Sequence, residues 1–279
     1  MKKLTFQFVT IGYVVLRLAM VAQYFRAGYS DIARRKTLYR YASGYTFCQI
    51  AWVSLLFFQG QWWHPIAFVV LAILELLVPT WAQQAGRTSW HVGHITERYG
   101  LFTIIVLGES ILSSSMGIQA TLQSGEFHTN LLPVIAGGLL ILFSMWWLYF
   151  DWSMGDVFTV LREEIRKEVL WSYGHYFIFA SIAALGAGLA VEIDFVLHHT
   201  ELDINTAGMM VSIPTILYIL ILWSLHNRPR TDSKFHPYLV WIFVLLMFLT
   251  SFTNYTTLLT GILFALLLVI KLFLKHREN

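Results

Sequence analysis

The sequence predicts an all-α, polytopic integral membrane protein, on the basis of its composition, its hydropathy and the spacing of its apolar runs. Hydrophobic residues make up 57% of the 279 residues, whereas Asp, Glu, Lys and Arg together make up only 13%. A soluble domain has about 25% charged residues, so a water-soluble fold of this composition would leave a large apolar surface in contact with solvent. The mean hydropathy of +0.62 agrees with burial in a bilayer. A single cysteine, Cys48, excludes a disulfide-rich secreted scaffold.

Nine stretches are apolar and long enough to cross a hydrocarbon core about 30 Å thick as helices of about 20 residues. They run near residues 4–25, 41–59, 65–83, 99–117, 131–150, 169–191, 207–226, 237–254 and 257–274. Only a short turn near Tyr255 and Thr256 separates the last two, so eight spans is the main alternative. The alternation typical of barrel strands is absent. We expect a single transmembrane helical domain over residues 1–279, because no linker or low-complexity tract divides the chain.

The basic residues are concentrated on one side of these spans. Sixteen of the nineteen Lys and Arg residues lie after the first, third, fifth or seventh span, or at or beyond the end of the ninth, where Lys271 falls, and the exceptions are Lys2, Lys3 and Arg17. Because positively charged segments are retained in the cytoplasm, this side and the C-terminus are predicted to be cytoplasmic, with the N-terminus outside. The loops on the other side carry acids without Lys or Arg: Glu126, Glu192, Asp194, Glu201 and Asp203.

Four ionisable residues fall inside the predicted spans: Arg17, Glu75, Glu109 and His175. A charge at the bilayer centre costs about 2.5–3.5 kcal/mol on insertion scales, so each of these residues must face a partner or water. One arginine neutralises only one of the two glutamates, which leaves the other as a carboxyl group able to bind a proton or a cation. The alternative is that Arg17 pairs with a glutamate only to orient the helices.

The sequence around Glu109 is rich in small and hydroxyl-bearing residues, and Ser113 lies one helical turn further along the same face. Such residues either line a hydrated path beside the carboxyl group or allow close helix packing. The sequence leaves both interpretations open.

A second polar cluster is predicted at the cytoplasmic edge of the membrane. His91, His94 and Glu97 fall on one face of a helix that begins early, which resembles part of a metal site. A hydrogen-bonded network of Glu97, Arg98 and Asp151 accounts for the same cluster without a metal. Zinc sites need three or four supported ligands, and motifs for nucleotide binding, serine hydrolysis and zinc proteolysis are absent. We therefore predict no metal, no cofactor and no catalytic residue.

Five short motifs stand out along the spans. The most specific joins H-I-T-E-R-Y-G-L at 94–101 to V-L-G-E-S-I at 106–111. The others are V-L-R-L at 15–18, W-W-L-Y-F-D at 146–151 and Y-G-H at 173–175. In these motifs the chain is similar to the bacterial low temperature requirement A family. The resemblance implies a multi-pass protein of the bacterial inner membrane, and it implies no settled substrate.

The resemblance extends at least from residue 11 to about residue 190, with two departures from the family pattern. Glu75 stands where family members commonly carry an aspartate. Family members also usually begin with a further helical region containing an F-F-D-L-V-F-V type of motif, which this sequence lacks. The chain is therefore expected to lack about three N-terminal helices, an odd number that agrees with an N-terminus outside.

The leading functional hypothesis is a secondary transporter or another ion-translocating protein, with membrane lipids and a proton or cation as its partners. Glu109 and Glu75 would bind the proton or cation, and Arg17 would be their charge partner. His175 and Asp151 would act as relay or gating groups on the inner side.

Two alternatives remain open at this stage. The first is a membrane enzyme that acts on lipid-linked substrates at the cytoplasmic interface through the second polar cluster. The second is a non-catalytic assembly factor for cold-stressed membranes. The cytoplasmic basic loops are accounted for by anionic lipid, so no nucleic-acid partner is predicted, and the oligomeric state is left open.

Overall fold

All the regular secondary structure of the computed structural model is helical in the part of the chain that it describes, which comprises residues 2–88, 92–123, 129–151, 165–226 and 237–276. These residues form nine α-helices and one short 3₁₀ turn at Leu56–Phe58. The helices are α1 (Lys2–Ser30), α2 (Arg35–Leu55), α3 (His64–Gln83), α4 (Val92–Gln123), α5 (Leu131–Phe150), α6 (Ile165–Val196), α7 (Ile204–His226), α8 (Pro237–Thr250) and α9 (Thr256–His276). The prediction of an all-α, polytopic membrane bundle is confirmed.

Each predicted span coincides with one of these helices, but the number of spans is not confirmed as nine. Among the described residues, six helices are both long and apolar enough to cross a membrane: α1, α3, α5, α6, α7 and α9. The apolar part of α8 is shorter, at Tyr238–Thr250. Because α8 ends at Thr250 and α9 begins at Thr256, the last two apolar stretches are separate helices rather than one span.

The chain forms two compact units, Met1–Trp90 and His91–Asn279. In the first unit, α1, α2 and α3 pack around a core that includes Val21, Cys48 and Val78. Three tyrosines stack along this core, with Tyr24 lying 4.8 Å from Tyr41 and 6.1 Å from Tyr45 between ring centroids. These rings pack between α1 and α2, so aromatic packing joins the two helices.

In the second unit, glycines bring helix backbones into direct contact. A Cβ atom at Gly137 of α5 would overlap the Thr257 carbonyl of α9, and one at Gly188 of α6 would overlap the Met210 carbonyl of α7. Small residues at such crossings are typical of membrane helices, where close van der Waals packing replaces the hydrophobic drive for association. The close packing at Gly137 places the start of α9 beside α5.

The start of α7 is fixed by a capping aspartate in the loop before it. The Asp203 carboxylate accepts hydrogen bonds from the Thr206 N–H, at 3.1 Å, and from the Thr206 hydroxyl, at 2.6 Å. These bonds favour the charged form and lower the pKa of Asp203 below its ordinary value. The acid in the loop before α7 therefore has a structural role at a helix N-terminus.

Candidate functional site

The Glu75 carboxylate accepts hydrogen bonds from two other helices of the first unit. The Tyr13 hydroxyl donates to Oε1 at 2.6 Å, and Arg17 Nε lies 2.8 Å from the same oxygen. The Trp52 indole N–H donates to Oε2 at 2.8 Å. Glu75 is only 6% exposed. This set of four residues, which we call the Glu75 network, links α3 to both α1 and α2.

Arg17 also contacts two tyrosines besides its pairing with Glu75. Its Nε also donates to the Tyr13 hydroxyl at 2.9 Å, and its Cζ lies 5.0 Å from the Tyr13 ring centroid and 5.2 Å from that of Tyr45. Such contacts with aromatic faces are attractive cation–π interactions. The expected pairing of Arg17 with one glutamate is therefore found, and the glutamate is Glu75.

The Glu75 network is suited to holding helices together rather than to exchanging an ion. Protonation or cation binding at Glu75 would compete with three donors that already point at its two oxygens. Leaving buried donors without acceptors costs about 1–3 kcal/mol each. A structural role for the Arg17–Glu75 pair is thus the interpretation that this geometry favours.

Glu109 lies in a different environment, near the middle of α4. Its side chain is exposed, and it forms no hydrogen bond or ion pair with any residue that the structure describes. The adjacent Gly108 has open space where a Cβ would be. Ile105 and Leu112, one turn to either side, are 63% and 54% exposed. Glu109 is therefore a carboxyl group on an otherwise apolar helix face.

The opposite face of α4 is packed against α6. Ser110 is buried, and its Oγ lies 3.0 Å from the carbonyl oxygens of both Val106 and Ile182. Gly186 of α6 allows this approach, since a Cβ there would lie 2.9 Å from the Ser110 Oγ. The hydroxyl of Ser110 thus serves helix packing. The side chain of Ser113, predicted to share the Glu109 face, lies outside the described part of the chain.

His175 is fully buried in α6 within an aromatic enclosure. Its Nδ1 lies 2.8 Å from the Trp171 carbonyl oxygen, which fixes the ring on its own helix. The Trp171 and Tyr99 rings are 4.1 Å and 4.7 Å from the imidazole centroid. The relay role of His175 stays a prediction.

The second polar cluster is arranged differently from the predicted network. Asp151 Oδ2 accepts from Lys271 Nζ of α9 at 2.9 Å, instead of joining Glu97 and Arg98, and this ion pair is almost buried. The physical reason is that the end of α5 lies beside α9, where the long lysine side chain reaches the carboxylate.

The remaining residues of this cluster are exposed on α4. His94 Nδ1 lies 3.9 Å from Glu97 Oε2, at the outer limit of an ion pair, and Arg98 is exposed as well. His91 lies outside the described residues. No group of three or more His, Cys, Asp or Glu residues that could hold a metal ion occurs in the part of the chain that the structure describes.

Sequence reasoning missed four residues that the structure buries or engages in polar contacts inside the helix bundle. Tyr13 and Trp52 fall within the first and second predicted spans, and Lys271 falls at the end of the ninth. Glu192 was assigned to an outer loop, whereas it lies inside α6 with a 5% exposed side chain. A helical-spacing test would have found Tyr13, since it lies one turn from Arg17 on the same face.

Long apolar helices with ionisable groups inside them define a multi-pass helical membrane protein. The family model described as bacterial low temperature requirement A protein (LtrA) matches residues 3–272 of the chain, so the protein belongs to the LtrA family. No curated protein and no solved structure matches it in the corresponding comparisons.

Proposed function

We propose that this protein moves protons or small cations across the bacterial inner membrane, and that Glu109 is the group that binds the ion during transfer. The observation that carries the proposal is the contrast between the two glutamates predicted to lie within the spans. Glu75 is saturated by three donors, whereas Glu109 is exposed on α4 and forms no ion pair among the described residues. Of these two glutamates, only Glu109 is free to bind and release an ion.

The physical argument rests on the cost of a bare carboxylate in hydrocarbon. An ionised side chain at the membrane centre costs about 2.5–3.5 kcal/mol or more, and a bound proton or cation removes most of this penalty. When Glu109 meets water or a polar path, the ionised form becomes favourable again and the ligand is released. A carboxyl group that alternates between these environments carries an ion, which is the role of intramembrane acids in pumps and transporters.

The orientation of the chain in the membrane is part of the same proposal. The concentration of basic residues in the segments after α1, α3, α5 and α7 supports a cytoplasmic position for that side and for the C-terminus. With this orientation, Asp151 and Lys271 lie at the cytoplasmic end of α5 and α9.

A test uses the purified full-length chain in proteoliposomes, with a pH-sensitive dye inside and an imposed membrane potential. We expect proton or cation flux above that of protein-free vesicles, and we expect Glu109→Gln to abolish it, because glutamine has the same shape but cannot ionise. Glu201→Gln is the matched control, since Glu201 is an exposed loop acid in the same unit. Wild-type flux in Glu109→Gln, or no flux from the wild-type protein, would refute the proposal.

One alternative, a membrane assembly factor, is favoured by the apolar exposure of the α4 face around Glu109. It predicts that Glu109→Gln still complements a cold-growth defect. Ion translocation predicts that it does not. The lipid-enzyme alternative has less support, because Asp151 is engaged by Lys271.

A further inference from the structure

Two apolar depressions lie one after the other along the surface of α2 and α3, and the proposed role of Glu109 involves neither. The first has a volume of about 350 Å³ and lies between Gly44 and Phe47 of α2 and Leu77 of α3. The second has a volume of about 380 Å³ and is bordered by Phe47 and Ser54 of α2 and by Trp63, which precedes α3. Because Phe47 borders both, we treat them as one feature and call it the α2–α3 groove.

Gly44 allows the two helices to approach closely within this groove. A Cβ atom at Gly44 would lie 2.8 Å from Val78 Cγ1 and 3.4 Å from Trp81 Cζ3. The side chains that border this contact stay open to the surroundings, since Phe47 is 66% exposed and Leu77 is 51% exposed. An open apolar surface of this kind on a membrane protein is suited to binding hydrocarbon chains.

A cationic side chain, that of Arg40, lies at one end of the groove. Arg40 precedes Gly44 by one helical turn on the same face of α2. Its Cζ lies 5.3 Å from the centroid of the Trp81 ring, and its Nη1 lies 3.5 Å from the Trp81 carbonyl oxygen. These contacts hold the guanidinium beside the groove but occupy few of its five N–H donors. No residue that the structure describes forms an ion pair with Arg40.

The positive charge at this end of the groove is not neutralised within the described part of the protein. The neighbouring Arg34 is engaged, since its Nη1 lies 2.8 Å from the Asp31 carboxylate. Lys36, one turn before Arg40, is exposed on the same helix face and adds a second positive charge. The start of α2 therefore offers a site for an anion next to an apolar groove.

The length of the groove matches the depth of one lipid leaflet. Ser43 borders the first depression and Ser54 the second, eleven residues further along α2. Eleven residues of a helix close to the membrane normal rise by about 17 Å, and half of a hydrocarbon core about 30 Å thick is about 15 Å. An acyl chain that lies along the groove therefore brings its head group to the level of Arg40, which is three residues before Ser43.

We propose that the α2–α3 groove binds an anionic phospholipid, with one acyl chain along Phe47 and Leu77 and the phosphate at Arg40. A guanidinium and a phosphate form charge-assisted hydrogen bonds, and basic pockets between membrane helices bind acidic lipid head groups. Charge complementarity favours this occupant over a second copy of the chain. A two-fold interface brings the same patch together from both copies, and the residues that line the groove include no acid to meet Arg40.

The test is native mass spectrometry of the purified full-length chain in detergent, titrated with phosphatidylglycerol or with phosphatidylethanolamine that has the same acyl chains. We expect the wild-type protein to bind phosphatidylglycerol more tightly. Arg40→Gln should weaken phosphatidylglycerol binding by about fivefold, the effect of one basic residue at a lipid surface, and leave phosphatidylethanolamine binding unchanged. The matched control Arg34→Gln removes the same charge from an arginine that Asp31 already engages, so it should bind both lipids as the wild type does.

A second pair of variants tests the groove without changing any charge. Leu77→Trp fills the groove and should weaken phosphatidylglycerol binding, whereas Ile73→Trp, at an exposed α3 residue that does not line the groove, should not. Size-exclusion elution shows whether each variant is folded, and this pair keeps the test decisive if Arg40→Gln is not.

Three results would overturn the proposal of a lipid site. They are equal binding of the two lipids by the wild type, full phosphatidylglycerol binding by Arg40→Gln or Leu77→Trp, and a wild-type dimer that Leu77→Trp converts to a monomer. The last result would assign the groove to a second copy of the chain. The assay involves no transport, so a failure of this site and a failure of Glu109 as ion carrier are observed separately.

Discussion

Replacing Glu75 with alanine is expected to destabilise the protein by about 3–5 kcal/mol, the range measured when one partner of a buried ion pair is removed. The change leaves the Arg17 guanidinium without its carboxylate, and the Tyr13 hydroxyl and the Trp52 indole N–H without their acceptor. Because these groups belong to α1 and α2, the loss weakens the packing of all three helices in the first unit.

Denaturant or thermal unfolding of the purified full-length chain measures this effect. The double variant Arg17→Met with Glu75→Leu should be less destabilised than Glu75→Ala alone, because it removes both charges together. Glu201→Ala, at an exposed acid without a partner in the described structure, should leave unfolding unchanged. If Glu75→Ala unfolds like the wild type, the Glu75 network does not stabilise the fold as we describe.

The second large expected effect is a difference in chemical modification between Glu109 and Glu75. A hydrophobic carbodiimide, which adds to protonated carboxyl groups in apolar surroundings, is expected to modify Glu109 in membranes and to leave Glu75 unmodified. Glu109 is exposed on an apolar helix face, whereas Glu75 is buried and both of its oxygens are occupied by donors from Tyr13, Arg17 and Trp52. Peptide mass spectrometry of the labelled protein reports both residues in the same sample.

Glu109→Gln should abolish the label at this position without creating one at Glu75. Preferential modification of Glu75 would contradict the assignment of the two glutamates to different roles.

The helices were predictable from the sequence because the bilayer imposes a simple rule on them. Backbone groups have no water partner in hydrocarbon, so each crossing segment must be a long apolar helix. The structure accordingly begins and ends most helices within a few residues of the predicted spans, and α5 occupies residues 131–150 in both. The number of spans was less predictable, because composition alone does not separate a short apolar helix such as α8 from a full crossing.

The candidate sites were predictable only in part. Arg17 and Glu75 could be recognised because a charge in an apolar run is conspicuous, and one ion pair between them was a natural expectation. The contribution of Tyr13 and Trp52 could not be recognised, since these residues also suit an apolar span or a membrane interface. Their polar atoms become informative only when the packing of α1 and α2 brings them to the same carboxylate.

Glu192 and Lys271 were misjudged for a related reason. Both lie near the ends of apolar stretches, where the sequence does not show whether a charged residue faces water or a neighbouring helix. The structure extends α6 to Val196, which takes Glu192 into the bundle, and it pairs Lys271 with Asp151 across α5 and α9. Both outcomes depend on contacts between distant segments, which a single sequence does not reveal.

The most direct test of the central claim combines labelling and transport in the same proteoliposomes. The vesicles are treated with increasing carbodiimide, and the remaining flux is compared with the fraction of Glu109 modified in each sample. If Glu109 binds the ion, flux should fall in proportion to its modification and reach the level of protein-free vesicles when the residue is fully modified. Undiminished flux through protein whose Glu109 is fully modified would contradict the account.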